Sequence, residues 1–97
     1  MKLVALYSTP ADIDAFEAEY ANHVKLVEKI PGLTETRITR FKKKLAGAHD
    51  CYLMAEMIFS DKDTFNSAMR SPEMAETGKD AARFASDILT TMIASEG

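Results

Sequence analysis

The chain has 97 residues, of which 46% are hydrophobic and 28% charged, and this composition predicts one soluble globular domain, residues 1–97, with a core of its own. Its 12 basic and 15 acidic side chains give a net charge of −3, which leaves no electrostatic reason to expect nucleic acid or an anionic membrane surface as a partner. The single cysteine, Cys51, excludes an intrachain disulfide and favours a cytoplasmic location, and the sequence predicts neither a signal peptide nor a membrane-spanning segment.

The first half of the chain predicts a strand, a helix and a second strand. The apolar run Lys2–Tyr7 is typical of a buried strand, and Thr9 is a candidate cap for a helix over residues 11–29. Gly32 supplies the turn into a second strand, residues 33–41, which is rich in threonine and charge. The helix has an apolar stripe with spacings of three and four residues: Ile13, Phe16, Tyr20, Val24 and Val27.

The second half of the chain predicts a third strand, two helices and a last strand. Ser60 and Asp63 form a candidate capping box for a short helix over residues 61–70. The sequence Ser-Pro-Glu, beginning at residue 71, indicates a fresh helix start, and that helix is expected to run to about Phe84. Residues 87–94 predict the last strand.

The third strand, residues 51–59, helps to predict the architecture. The element order β-α-β-β-α-β, with the second helical segment divided in two, is the ferredoxin-like pattern: an α+β fold with a four-stranded antiparallel sheet and helices on one face. The third strand is apolar on both sides, with Leu53, Ala55, Met57 and Phe59 on one side and Tyr52, Met54 and Ile58 on the other. An uncovered apolar sheet face predicts an interaction, so we expect a symmetric homodimer through the sheet faces.

His23 is the residue of the predicted first helix whose position is not explained by folding alone. It shares one helical line with Phe16 and Val27 and follows Tyr20 by one turn, so it lies on the buried stripe. One interpretation is a core histidine that hydrogen-bonds a backbone carbonyl or Glu19. The other is a catalytic proton carrier or hydrogen-bond donor in a pocket between helix and sheet, with Tyr20 and Phe16 as ligand-binding neighbours.

Glu56 is the second candidate, because it lies in the middle of the third strand between Ala55 and Met57. A carboxylate in such a place needs a partner or stays protonated. One interpretation is an ion pair with Arg37 or Arg40 on a neighbouring strand. The other is a ligand-binding carboxylate that assists His23.

A metal site is not expected from this sequence. His49 and Cys51 lie two residues apart, which is a possible metal clip or nucleophile, but no third ligand follows at a suitable spacing. We therefore interpret Cys51 as a small strand hydrophobe, expect no metal, haem or other cofactor, and interpret the basic run at residues 40–44 as a solvated loop.

Three segments, taken in order, resemble the EthD-like family. The segment HVKLVEKIPGL at residues 23–33 resembles the family's first helix, in which a helical histidine precedes an IPGL turn. The segment YLMAEMIFSDKDTFNSAM at residues 52–69 resembles its third strand and following helix. The segment SPEMAETGKDAARFA at residues 71–85 resembles its SPEG-D-F segment, although Met74 replaces the glycine and is expected to narrow a pocket opening there.

This resemblance implies a fold, a class of ligand and a site residue. The family is named after proteins associated with bacterial ethyl tert-butyl ether degradation, and it belongs to the dimeric α+β barrel superfamily. Members of the superfamily include cofactor-free monooxygenases, isomerases and stress-associated proteins, so the resemblance implies either an enzyme of the monooxygenase, isomerase or dehydratase type or a non-catalytic ligand-binding protein. The ligand would be a small apolar or aromatic molecule, and the family's histidine corresponds to His23.

Overall fold

The computed structural model describes residues 1–96, which form a four-stranded sheet and three helices. The order is β-α-β-β-α-α-β, which confirms the predicted ferredoxin-like α+β fold, and each element begins and ends within two residues of the predicted bounds. The elements are β1 (Lys2–Tyr7), α1 (Ile13–Val27), β2 (Leu33–Arg40), β3 (Leu53–Phe59), α2 (Lys62–Met69), α3 (Pro72–Ala85) and β4 (Leu89–Ala94). Within these residues, no helix is both long and apolar enough to cross a membrane.

The sheet places β1 and β3 at its centre. Its strand order is β2-β3-β1-β4, and every neighbouring pair is antiparallel. The helix α1 joins β1 to β2 across β3, and α2 with α3 joins β3 to β4 across β1, so the helices lie on one face of the sheet. The space between that face and the helices holds the core.

The first helix begins two residues later than predicted because a different residue caps it. Asp12 has an extended backbone, and its carboxylate accepts a hydrogen bond of 3.0 Å from the Ala15 amide. The prediction of Thr9 as the cap is therefore wrong. The backbone amide of Thr9 instead donates to the carboxylate of Asp50, at 3.3 Å.

Of the predicted caps for the other two helices, the one for α2 is wrong and the one for α3 is confirmed. The cap of α2 is Asp61, whose carboxylate accepts from the Thr64 amide at 2.8 Å, so the predicted capping box of Ser60 and Asp63 is wrong. The start of α3 is confirmed, because the hydroxyl of Ser71 accepts from the amide of Met74 at 3.1 Å.

The third strand has one fully buried side and one partly open side, as its sequence predicts. The side chains of Leu53, Ala55, Met57 and Phe59 face the helices and are 5% exposed or less. Tyr52 is an exception to the prediction, because it precedes β3 and its ring contacts Phe16 of α1, with centroids 5.8 Å apart. The outer face of β3 therefore consists of Met54, Glu56 and Ile58.

An aromatic cluster fixes α1 on the sheet. The Tyr7 ring packs edge-on against Phe16 and Tyr20, with centroids 5.3 and 5.6 Å apart, and the rings of Phe16 and Tyr20 stack on one another. Such pairs add stability beyond the burial of their area. The cluster holds the part of α1 that carries His23.

Candidate functional site

A cavity of about 250 Å³ lies between the helix-facing side of the sheet and the helices α1 and α3. A dry engineered cavity of about 150 Å³ holds benzene, so this cavity has room for a ligand with one or two rings. All four strands and both helices contribute to its walls. The lining residues include Leu3, Ala5, Tyr7, Tyr20, His23, Val24, Thr36, Ile38, Ala55, Met57, Met74, Gly78, Ala81 and Leu89.

His23 reaches the cavity from the inner side of α1, where it is 4% exposed. Its Nδ1 lies 3.0 Å from Oδ2 of Asp80 on α3. An ionised carboxylate can only accept, so the geometry assigns the hydrogen of the neutral imidazole to Nδ1 and leaves Nε2 as an acceptor. His23 therefore presents a potential base to the cavity.

Asp80 belongs to a charged network on the outer side of the His23 ring. Its Oδ1 accepts from Nε and from a terminal nitrogen of Arg83 at 3.1 and 2.9 Å, and Arg83 also contacts Glu19 at 2.5 Å. Burial acts to raise the pKa of Asp80, but the hydrogen bonds from His23 and Arg83 outweigh it, and the pKa lies below its ordinary value. The carboxylate is therefore ionised at neutral pH and holds the His23 ring in one tautomer.

Two tyrosines complete the polar part of the cavity wall. The ring of Tyr20 lies 5.6 Å from that of Tyr7 and 5.8 Å from that of His23, centroid to centroid. Burial raises the pKa of both phenols, that of Tyr20 to about 12, so both keep their protons at neutral pH. Each tyrosine is therefore a hydrogen-bond donor in this wall.

These three polar groups each have an atom without a protein partner among residues 1–96. Among residues 1–96, every fully enclosed side-chain nitrogen or oxygen has a hydrogen-bond partner. The hydroxyls of Tyr7 and Tyr20 and Nε2 of His23 have no such partner within those residues, so each atom keeps a trace of accessible surface although its residue is at most 4% exposed. Because all three residues line the cavity, their free polar atoms are available to a molecule inside it.

The remaining wall is mainly apolar, with Thr36, Thr77 and Thr91 as its other polar side chains, and it carries no charge. Within the described chain, no lysine, arginine, aspartate or glutamate lines the cavity. Two cations beside residues of the site are already engaged, since Arg40 is paired with Glu17 at 2.7 Å and Arg83 with Asp80. A ligand that must leave water to enter this space is favoured when it is uncharged.

The predicted site residues on α1 separate into two groups. His23 and Tyr20 line the cavity, as expected for a pocket between helix and sheet. Phe16 does not line it; its ring stacks behind that of Tyr20, with centroids 5.6 Å apart, and supports the wall from within the core. The partner of His23 is Asp80, and not Glu19 or a backbone carbonyl.

Glu56 is not part of this cavity. Adjacent residues of a strand point to opposite faces, and Ala55 and Met57 face the helices, so Glu56 faces the outer side of the sheet. Its carboxylate pairs with Nζ of Lys2 at 2.7 Å. The predicted contact with His23 is therefore wrong, and the partner is Lys2 although Arg37 is its cross-strand neighbour.

Sequence reasoning missed two residues of the site, Tyr7 and Asp80. Tyr7 was interpreted only as the end of a buried strand, yet a tyrosine there brings a hydroxyl that a phenylalanine would not. Asp80 is the aspartate of the SPEG-D-F segment and follows Thr77 by one turn on α3, and these were the available signals. Their proximity to His23 depends on how α1 and α3 pack on the sheet, which no local pattern encodes.

The segment with His49 and Cys51 makes no comparable constellation. It precedes β3, and Cys51 is half-buried, with its thiol directed to the carbonyl of Leu53 at 3.8 Å. Burial raises the pKa of this thiol, which disfavours the reactive thiolate. Within residues 1–96, no three His, Cys, Asp or Glu side chains are grouped as metal ligands.

Comparison with known proteins agrees with the family resemblance. A crystal structure of an EthD family protein from Bacillus halodurans C-125 is 43% identical, has a TM-score of 0.91, and is matched over 99% of this chain and 97% of that one. An uncharacterised 11.0 kDa protein from the thcB–thcC intergenic region of Rhodococcus erythropolis is 29% identical over 98% of this chain and 93% of its own length.

More distant structures share the fold. SnoaB, a cofactor-independent oxygenase from Streptomyces nogalater, is 17% identical with a TM-score of 0.64, over 99% of this chain and 93% of that one. The sequence model of the EthD domain matches residues 8–88. The chain therefore belongs to the EthD domain family.

Proposed function

We propose that this protein binds a small apolar or aromatic molecule in the cavity between α1, α3 and the sheet, and that His23 exchanges a proton with it. The observation that carries this proposal is the environment of His23. One nitrogen of the ring is held by Asp80 at 3.0 Å, while the other is left to a cavity of about 250 Å³. A histidine oriented by a carboxylate and open on its other side is the usual arrangement of a general base.

The surroundings of His23 combine features of the structural and the functional interpretation that the sequence left open. His23 does hydrogen-bond a protein group, as a structural histidine would, and it also lines a cavity, as a functional one would. A purely structural role would need only one polar contact, whereas the imidazole leaves its second nitrogen without a partner among residues 1–96. That free nitrogen favours a cofactor-free enzyme or a ligand-binding protein over a structural role alone.

The experiment compares His23→Gln and His23→Leu with the unmodified protein in ligand-observed NMR. The probes are small neutral aromatic compounds, screened for saturation transfer and competition. His49→Gln is the matched control, because His49 is exposed and lies outside the cavity. Thermal unfolding of each variant separates loss of binding from loss of structure.

The expected result is that both His23 variants lose or change binding while His49→Gln keeps it. His23→Leu is also expected to lower stability, because it removes a hydrogen bond to Asp80. Binding that is unchanged in a folded His23→Gln variant would contradict the proton-carrying role. Failure of the unmodified protein to bind any such compound would contradict the proposal as a whole.

We further propose that the protein is a homodimer formed through the outer faces of two sheets. That face carries apolar side chains from three strands, among them Val4, Leu6, Met54, Ile58 and Met92, and no helix within residues 1–96 covers it. Obligate interfaces of this kind bury about 2,000 Å² or more. Light scattering at micromolar concentration should give the mass of two chains, and a stable folded monomer would contradict the proposal.

A further inference from the structure

His23 and the two tyrosines of the cavity wall provide one hydrogen-bond acceptor and two donors. Asp80 accepts the hydrogen on Nδ1 of His23, so Nε2 carries a lone pair. Tyr7 and Tyr20 both line the cavity, with ring centroids 5.6 Å apart, and neither hydroxyl has a protein partner within residues 1–96. A ligand that matches this wall has a group that gives up a proton and, beside it, an oxygen that gains charge.

We propose that the cavity enolises a neutral carbonyl compound of one or two rings, with His23 as the base and the hydroxyls of Tyr7 and Tyr20 as donors to the carbonyl oxygen. This inference rests on the proposed function, and it adds the reaction type and the class of substrate. It also adds Tyr7 as a catalytic residue.

The step balances without a cofactor or co-reactant. Nε2 of His23 takes the proton from the carbon next to the carbonyl group, and the electrons of the broken C–H bond form a carbon–carbon double bond. The carbonyl π electrons move to oxygen, which becomes an enolate oxyanion. Where a further carbon–carbon double bond is conjugated with the enolate, return of the proton to its far carbon gives an isomer. Where the carbon next to the enolate carries a hydroxyl group, transfer of the same proton to that hydroxyl releases it as water, and the C–O electrons leave with it, which gives a dehydrated product.

The two tyrosines can donate hydrogen bonds to the enolate oxyanion because they remain protonated. Burial raises the pKa of each phenol, so neither loses its proton to the imidazole at neutral pH. Donors that are fixed before the reaction and lie in a site with little water stabilise developing negative charge more than water does. Asp80 meanwhile stabilises the imidazolium that forms when His23 takes the proton.

The charge and size of the cavity set the class of substrate. No charged side chain of the described residues lines it, which disfavours a carboxylate or phosphate that would need a cation. The wall beyond the three polar groups is formed by side chains such as Leu3, Val24 and Met57. A hydrocarbon ring system with a single carbonyl group matches these walls.

The test uses 4-nitrophenol, because its phenolate resembles an enolate in shape and charge and absorbs at a longer wavelength than the phenol. The protein is titrated into the probe at a pH below the phenol's own pKa. The expected result is growth of the phenolate band, as His23 takes the proton and the tyrosines bind the oxyanion. Nitrobenzene, which has no hydroxyl, is titrated in parallel as a measure of apolar binding alone.

Variants assign the effect to residues. Tyr7→Phe and Tyr20→Phe are each expected to weaken binding of the phenolate about tenfold or more while changing nitrobenzene binding little, since each removes one hydrogen bond to a charged group. His23→Gln should bind the probe as neutral phenol. Tyr52→Phe is the matched control, because the Tyr52 hydroxyl bonds to Glu17 and its ring lies outside the cavity.

The outcomes separate this inference from the proposed function. Binding of nitrophenol as neutral phenol, with an affinity equal to that of nitrobenzene, would overturn the enolisation but leave a ligand-binding cavity. An equal effect of Tyr52→Phe and Tyr7→Phe would overturn the role of the cavity phenols. No binding of either compound by the unmodified protein would overturn the proposed function and this inference together.

Discussion

The imidazole of His23 on α1 and the carboxylate of Asp80 on α3 are joined by a hydrogen bond of 3.0 Å, although 57 residues separate them in the sequence. The bond connects the two helices that close the cavity and also fixes which nitrogen of His23 faces it. Stability and the proposed chemistry therefore depend on the same contact.

Asp80→Asn should affect both properties. The amide oxygen can still accept from Nδ1 of His23, but the negative charge and the ion pair with Arg83 are lost. We expect the free energy of unfolding to fall by about 1–3 kcal/mol and ionisation of a bound nitrophenol to be reduced. Urea denaturation and absorbance titration measure the two effects. Glu19→Gln is the control, because it removes the other partner of Arg83 and leaves the bond to His23; an equal response would argue against a special role for Asp80.

At low pH, the free energy of unfolding of Asp80→Asn should approach that of the unmodified protein. The pKa of Asp80 lies below its ordinary value of 3.8 in the folded state, so the unfolded chain takes up this proton first as the pH falls. The stabilisation from Asp80 is fully present above pH 3.8 and is lost as the pH falls through the folded pKa. Denaturation of both proteins at a series of acidic pH values measures the difference in their free energies of unfolding. A difference that widens toward low pH would contradict a stabilising role of the ionised Asp80 carboxylate.

Substitutions of Gly78 should raise the stability of α3, and a large side chain there should also hinder entry to the cavity. It lies within α3, lines the cavity, is exposed, and a Cβ atom there would meet nothing within 4 Å. Because glycine weakens a helix, Gly78→Ala should raise the free energy of unfolding by about 0.5–1 kcal/mol. Gly78→Leu should place a side chain at the opening and slow ligand association, measured by stopped-flow mixing. Ala75→Leu adds the same side chain to an exposed site of α3 away from the cavity, and equal slowing by both variants would count against a role in access.

Glu56→Lys should dissociate the proposed dimer. Glu56 is half-buried on the outer sheet face and pairs there with Lys2 at 2.7 Å. The substitution would place a second cation beside Lys2 and Arg37 in the middle of the interface, where repulsion is poorly screened. Light scattering should show a shift toward one chain per particle. Glu76→Lys makes the same change of charge on exposed α3 and should leave the mass unaltered; an unaltered mass for both would argue for a different interface.

Gly32→Ala should be destabilising for two separable reasons. Gly32 has φ of +77°, which costs other residues about 1–2 kcal/mol, and a Cβ atom there would collide with Cγ2 of Thr64 on α2. Thr64→Ser removes that methyl group, so Gly32→Ala should cost less in a Thr64→Ser background than alone. A double-mutant cycle by urea denaturation measures the coupling, and strict additivity would show that the backbone conformation alone is responsible.

The fold could be predicted from sequence because its signals are local. The alternation within β3, the stripe of α1 and the Ser71 start of α3 each follow from the spacing of neighbouring residues. Cap residues were predicted less well, since Asp12 and Asp61 lie beside Thr9 and Ser60, and only the backbone geometry decides which side chain reaches the amide.

The site could be predicted only in part because it is assembled from distant segments. His23 was found because an imidazole on an apolar stripe is unusual, and Tyr20 because it lies one turn away. Tyr7 and Asp80 join them through the packing of β1, α1 and α3, which single-sequence patterns do not specify. Glu56 is a candidate only because a carboxylate in the middle of an apolar strand needs a partner, and the alternation of β3 turns it to the outer face of the sheet, where that partner is Lys2.

The alternation of β3 makes one strand serve two surfaces at once. Ala55 and Met57 line the cavity, and Glu56 between them lies on the face that we assign to the partner chain. Loss or gain of one residue within this strand would exchange the two sets of side chains, turning the charge of Glu56 toward the ligand and the cavity wall toward the second protomer. An insertion or deletion within β3 would therefore damage both surfaces at once. A change of ligand in this protein has to come from substitutions in the cavity wall or from changes in the helices.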